Sequence, residues 1–295
     1  MSEPEPGPQP AQDPFLELGG AIEDVDDAAA DAARARLGGD QATGYGRVGE
    51  LAVWWASVRG TADAPAPRQV LLAGGGSDVA ARRPGVRALA FPRGGTVVDA
   101  IARGIEEADR AADSGTDLIV LCLDDAAPWR AVAADLLGMD AVEANGWPHD
   151  RGFTDERWMD DVAALRDRLR RVRGLRSEPA ALLDAVGSPA VAAAAALLVA
   201  ATARRTPVLL DGPGAAAVAL LVFRTNYAAP RWWQAAHRGD DRLHERTLGS
   251  VGLEPLARLD IRVCDGTAGL IGLALLDTAV ALLAPDDPAG PLSAD

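Results

Sequence analysis

The chain has 295 residues, 48% of them hydrophobic, enough to bury a substantial core and too apolar for a disordered polymer. A formal charge of -14, from 43 acidic and 29 basic residues, gives no net attraction to phosphate backbones or anionic membranes, so no nucleic-acid or membrane partner is expected. Every basic residue in that count is an arginine, which excludes a lysine Schiff base and a Walker-type phosphate lysine.

Met1 to Pro14 is acidic and proline-rich and has no apolar core of a secretion signal; residues 1–20 are expected to be a flexible leader. Asp26 to Leu37 and Gly46 to Val58 read as helices, the second carrying Leu51, Trp54, Trp55 and Val58 on one side. Gln69 to Ala73 is a short apolar run opening into Gly74-Gly75-Gly76, the pattern of a buried parallel strand and its exit loop. Val97 to Ala112 is a helix, and the apolar run from Gly115 to Leu123 is a second strand that ends at Asp124-Asp125. A helix from Pro128 to Leu137 completes a β-loop-α unit.

Beyond a turn-rich stretch around Asn145-Gly146, Thr154 is placed to cap a long arginine-rich helix reaching Arg173. Glu178 to Val186 makes a short helix, and Ala190 to Arg205 a buried one that is too short to span a bilayer, which needs roughly 20 apolar residues. Thr206 to Leu210 is a third strand, with Asp211 to Gly214 as its exit loop before an alanine-rich helix. Strands alternating with helices imply an α/β fold with a mostly parallel sheet and helices on both faces. Ligands in such sheets bind outside the carboxyl ends of the strands, here Gly74 to Asp78, Asp124 to Ala127 and Asp211 to Gly214.

Four segments resemble, in order, the nicotinate-nucleotide:dimethylbenzimidazole phosphoribosyltransferase family. Leu259-Asp-Ile-Arg-Val-Cys-Asp-Gly-Thr-Ala-Gly269 is similar to its Arg-x-Gly-Glu-Gly-Thr-Gly-Ala signature and precedes an apolar helix. His237-Arg-Gly-Asp-Asp-Arg-Leu-His244 resembles its His-x-Ser-x-Glu-x-Gly-His element, continued through Gly252 to Leu256. Thr206 to Gly212 resembles its Pro-Val-x-x-Asp-Gly-Phe strand, and Arg47 to Trp54 its Gly-Arg-Leu-Glu-x-Leu-Ala helix. The resemblance implies a Rossmann-like sheet plus a small helical domain built from both ends of the chain, with residues 21–60 and 236–284 flanking a large domain at 61–235 and a flexible tail at 285–295. It also implies a homodimer, with a heterodimer with a family homologue as the alternative; no cofactor is expected, and Cys122 and Cys264, which show no disulfide framework, fit a reducing cytoplasm.

The family moves the phosphoribosyl group of nicotinate mononucleotide onto dimethylbenzimidazole for the lower ligand of cobalamin. A carboxylate accepts the base's N–H proton as the partner nitrogen attacks the anomeric carbon and nicotinate leaves. The position matching that general base is Asp265, one methylene shorter than the family's glutamate. The strand exits contribute Gly74, Gly75, Asp124, Asp125, Asp211 and Gly212, and the resembling segments and the changed loop contribute Arg130, His237, Asp241, His244, Gly266 and Thr267, as ligand-binding candidates for a nucleotide or an aromatic base. The motifs also depart from the family. Its glycine-rich phosphate loop is replaced by Leu123-Asp-Asp-Ala-Ala-Pro-Trp-Arg130, which brings two carboxylates, a proline without an N–H and only Arg130 as a cationic donor. Its Ala-Asp-His-Gly loop appears as Ala73-Gly-Gly-Gly-Ser77, and its Gly-Gly-Phe-Glu element as Gly187-Ser-Pro-Ala190. The expected outcome is a divergent member whose family activity is weak or absent. The alternatives are an active transferase of changed base specificity using Asp265, or a non-catalytic partner of an intact homologue.

Three other features admit plainer roles. Arg166, Arg168, Arg170, Arg171, Arg173 and Arg176 lie beside Asp160, Asp161, Asp167 and Glu178, the pattern of a solvated helix face held by i,i+4 ion pairs. His237 and His244 are too far apart in sequence for a helical metal pair and are expected to hydrogen-bond structurally; Cys122 and Cys264 likewise indicate no metal. Trp54-Trp55 and Trp232-Trp233 are expected at a subunit interface.

Overall fold

The computed structural model describes residues 13–39, 44–80, 82–123, 128–146 and 154–284. Strands β1 (Val70–Ala73), β2 (Val86–Leu89), β3 (Leu118–Cys122), β4 (Val208–Asp211) and β5 (Trp233–Ala235) form one sheet in the order β2-β1-β3-β4-β5, and every neighbouring pair is parallel. Helices α1 (Pro14–Gly20), α2 (Asp27–Arg36) and α3 (Gly46–Arg59) precede the sheet; α4 (Ser77–Ala80), α5 (Val97–Asp113), α6 (Trp129–Leu137), α7 (Ala141–Asn145), α8 (Asp155–Val172), α9 (Pro179–Val186), α10 (Pro189–Ala203) and α11 (Gly212–Phe223) fall between its strands. Helices α12 (Arg242–Val251) and α13 (Thr267–Ala281) follow it, and α13 packs on both α3 and β4. The α/β sheet flanked by helices is the architecture the alternating pattern implied.

The three central strands are continuous apolar runs because both faces are covered; β1, β3 and β4 are buried at every position. Helix α5 is amphipathic, opens on a Thr96 cap whose hydroxyl accepts the Asp99 amide at 3.0 Å, and buries Val97, Ala100, Ile101, Ala108 and Ala111. It lies against α10, which is buried on all sides from Val191 to Thr202. Small side chains permit that contact: a Cβ on Gly104 of α5 would stand 2.4 Å from the Ala193 carbonyl of α10.

Several expectations need correction. Residues 14–20 are not part of a flexible leader. The Asp13 carboxylate caps α1 through the Phe15 amide and accepts the Ala180 amide of α9, both at 2.9 Å, while Phe15 is buried. Strands β2 and β5 and helix α7 were not anticipated, and α11 starts directly at Gly212, so Asp211 ends its strand without an exit loop. The tryptophan pairs are not interface material. Trp54, Trp55, Trp232 and Trp233 are buried within the chain, their indole N–H groups donating to Arg231 O, Pro65 O, Glu23 O and Thr202 Oγ1. Among the described residues, no helix is long and apolar enough to cross a membrane.

Asp13 is thus the clasp that holds α1 onto α9. Asp13→Ala should cost about 1–2 kcal/mol in chemical denaturation and raise amide exchange across residues 14–20. An unchanged midpoint with unchanged exchange would show that α1 needs no such clasp.

Candidate functional site

The sheet order reverses direction between β1 and β3, and a cleft of about 460 Å³ opens at the carboxyl edge there. Its walls come from the exits of three strands: Gly74 to Gly76 after β1, Ala90 to Arg93 after β2, and Leu123 with Pro128 after β3. Ser188, Pro189 and Ala190 at the start of α10 and Cys264-Asp265 ahead of α13 complete it. Among the described residues the lining is largely apolar, with Asp265 and Arg93 as its charged side chains, a chemistry suited to a flat ring held by a few polar groups.

Close backbone approach makes this cleft. Gly74 has φ +85°, and a Cβ there would lie 2.0 Å from the Cys122 carbonyl and 2.8 Å from the Phe91 ring. Two residues on, the Gly76 amide donates to the Asp265 carbonyl at 2.9 Å, tying the β1 exit to the segment that enters α13. Gly75 is packed equally tightly against Leu72 and the Asp265 carbonyl. The Asp265 carboxylate turns back on its own chain, with Oδ1 accepting the Thr267 amide at 2.9 Å, so one of its oxygens serves the entry to α13. Gly266 and Thr267 form that entry, as N-cap and first helical residue.

Beneath the cleft lies a second group of the expected residues. Asp211 is fully buried, and its Oδ2 accepts the Gly269 amide of α13 at 2.8 Å. Its Oδ1 is 3.5 Å from Nε2 of the buried His237, whose ring meets that of His244 edge-on at a centroid distance of 6.0 Å. The histidines do not share a helix face. His237 follows β5 and His244 lies in α12, and the expected hydrogen bonds are incomplete: among the described residues, Nδ1 of each ring has no partner. Burial, and then the His237 ring, push the His244 imidazole down to about 4. Burial and the nearby Asp211 push the Cys122 thiol far above the ordinary thiol range.

Arg130 is elsewhere. Its guanidinium pairs with Asp241, donates to the Ala144 carbonyl at 3.2 Å and stacks over the Trp129 ring, so two expected ligand residues, Arg130 and Asp241, bind each other. Asp124 and Asp125 lie outside the described residues. Gly212 begins α11 close to the Cys264 sulfur. Phe91, Arg93, Ser188 and Cys264 line the cleft and were not among the expected ligand residues. Arg93 had a legible signal, a basic residue in Pro-Arg-Gly-Gly just beyond the apolar run of β2, but only once that run is taken as a strand.

A phosphoribosyltransferase family model matches residues 93–286, about two thirds of the chain. The chain belongs to the nicotinate-nucleotide:dimethylbenzimidazole phosphoribosyltransferase family. Enzymes of that name from Corynebacterium efficiens and Streptomyces avermitilis are 36% identical over 193 residues and 38% identical over 191 residues; these alignments cover 64% and 63% of this chain and 52% and 50% of theirs. The chain therefore spans about half the length of the relatives it matches. Among solved structures, CobT from Thermus thermophilus superposes with a TM-score of 0.73 over 90% of this chain and 96% of its own, at 19% identity, a likeness of fold.

The buried histidine makes stability depend on pH. Since the folded pKa of about 4 lies below the ordinary 6.5, the unfolded chain binds the extra proton between those values and folding weakens as pH falls. The difference amounts to about 3 kcal/mol at full protonation. His244→Gln should flatten this part of the stability profile between pH 6.5 and 4, measured by urea unfolding beside the parent. Parallel profiles for the two proteins would mean that His244 is not the titrating group.

Proposed function

We propose that this chain is a divergent phosphoribosyltransferase homologue, linked to cobamide lower-ligand nucleotide synthesis, that holds an aromatic base or nucleotide in the cleft and performs the family's transfer weakly or not at all. The observation that carries this reading is the conformation of Asp265, whose Oδ1 is bonded to the Thr267 amide. A general base must come within about 2.6–3.2 Å of the proton it accepts. A side chain one methylene short of glutamate, with one oxygen committed to its own backbone, reaches less far into the cleft. Its carboxylate is suited to orienting an N–H group of a bound base more than to following that proton through the reaction.

The electrophile is equally poorly served. Nicotinate mononucleotide needs its phosphate anchored so that the anomeric carbon faces the base nitrogen, and such orientation is worth roughly 7–11 kcal/mol of barrier. The segment after β3 carries Asp124, Asp125 and Pro128 in place of glycine amides, and Arg130 is engaged by Asp241 and the Ala144 carbonyl. Among the described residues the cation on the cleft wall is Arg93, which lies just beyond β2.

The purified protein should give little or no product from nicotinate mononucleotide and dimethylbenzimidazole, followed by chromatography of the riboside phosphate. Asp265→Glu should not restore an ordinary rate, because the electrophile stays unanchored. Turnover by the parent at about 1 per second or faster, abolished in Asp265→Ala, would overturn this reading and make Asp265 a working base.

A further inference from the structure

A second concavity, of about 990 Å³, lies at the other end of α6 from the cleft. One wall is the end of α6 with the turn from Gly138 to Val142; the other is the second half of α8 with the turn leading into α9. Arg166, Arg170, Arg173 and Arg176 line it, with Asp135 and Asp140 opposite. Positions 166, 169, 170 and 173 follow the i, i+3, i+4, i+7 spacing of one helical face. Arg166 and Arg170 are one turn apart on α8 and Arg173 is its C-cap, so three arginines follow one another over about 10 Å, and Leu169 lines the hollow with them.

The sequence led us to expect that carboxylates on and beside the same helix neutralise these arginines. They do so only in part. Asp167 pairs with Arg170 at 3.3 Å, and Asp135, whose side chain is 8% exposed, pairs with Arg176 at 3.1 Å. The Asp140 carboxylate accepts the Glu143 amide at 2.8 Å as the cap of α7. Among the described residues, Arg166 and Arg173 have neither an ion-pair nor a hydrogen-bond partner, although the chain as a whole carries a charge of -14. Complementing the carboxyl end of the α8 dipole accounts for cations in its last turn. It does not account for their meeting Arg166, a turn and a half earlier, and Arg176, beyond the helix, around one hollow.

We propose that this groove is a binding site for a small molecule carrying two or more phosphate groups. Guanidinium forks match phosphate oxygens bidentately, and four of them around a hollow suit an anion longer than a single phosphate. The volume lies within the range for small-molecule sites, which favours such a ligand over an acidic polypeptide. The proposal is independent of whether the cleft turns over.

Inorganic pyrophosphate titrated into the full chain by calorimetry should bind saturably, and more weakly as salt is raised. The double variant Arg166→Gln/Arg173→Gln should lose about tenfold or more of that affinity, while Arg168→Gln on the same helix and Arg93→Gln in the cleft should leave it unchanged. All four arginines are side chains whose replacement can be checked by the melting curve; if the double variant melts early, the single variants Arg166→Gln and Arg173→Gln carry the same test. Absence of saturable binding, or equal loss in the Arg168→Gln control, would overturn the site. Inorganic phosphate binding as tightly as pyrophosphate would overturn the requirement for two phosphates, and tighter binding of a polyglutamate peptide would overturn the small-molecule assignment.

Discussion

The fold hinges on one buried carboxylate. Asp211 ends β4 with no exposure, and its Oδ2 takes the Gly269 amide in the first turn of α13. A carboxyl group at such a depth needs polar partners, and it has the amino terminus of α13, with its unpaired N–H groups and the positive end of the dipole, on one oxygen and the His237 ring 3.5 Å from the other. The bond therefore sets the height of α13 over the sheet, and with it the position of the Cys264-Asp265 segment that closes the cleft. The Gly76 amide secures that segment from the other side, through the Asp265 carbonyl. The cleft is thus the space left between a strand exit and a helix entry that two hydrogen bonds hold together.

An arginine-only basic complement shapes the rest of the molecule. Guanidinium groups remain charged at any physiological pH and favour fixed, forked partners. Many are used as brackets between distant segments: Arg231 joins Asp24 and Asp27, Arg205 reaches Glu23, Arg83 reaches Asp277 and Arg130 reaches Asp241. Exposed pairs of this kind contribute little stability individually. They do consume cations that a phosphate would otherwise find. Arg130 shows the consequence: this cation, close after β3 in sequence, fastens α6 to the cap of α12.

The central strands were legible because a buried parallel strand is an uninterrupted apolar run, and β1, β3 and β4 are such runs. Strand β2 escaped because it is an edge strand, half-buried with Arg87 exposed, and β5 because its three residues begin with a tryptophan that reads as a surface anchor. The tryptophans misled for a physical reason. An indole pair signals an interface only when its N–H must stay wet, and here each N–H finds a carbonyl or hydroxyl inside the chain. Helix α1 was hidden by the acidic, proline-rich composition before it; a single aspartate cap and one buried phenylalanine outweigh that context. Within the site, Asp265, Gly74 and Gly75 could be placed from motif likeness, whereas Arg93 and Phe91 depended on recognising β2, and the diversion of Arg130 depended on a partner 111 residues away.

An aspartate at residue 265 has a local logic beyond reach. Aspartate two residues before an amide closes an Asx-type turn, a geometry in which its carboxylate substitutes for a backbone acceptor. Asp265 does this to Thr267, at a helix entry where Gly266 supplies no side-chain cap of its own. A glutamate has one more rotatable bond and no comparable preference for that turn, so it would leave the entry to α13 less well held while placing its carboxylate deeper in the cleft. At this position, holding the helix entry and reaching into the cleft therefore compete for the same carboxylate. In this chain the side-chain length suits the helix entry, and Arg130 is likewise engaged elsewhere, by Asp241.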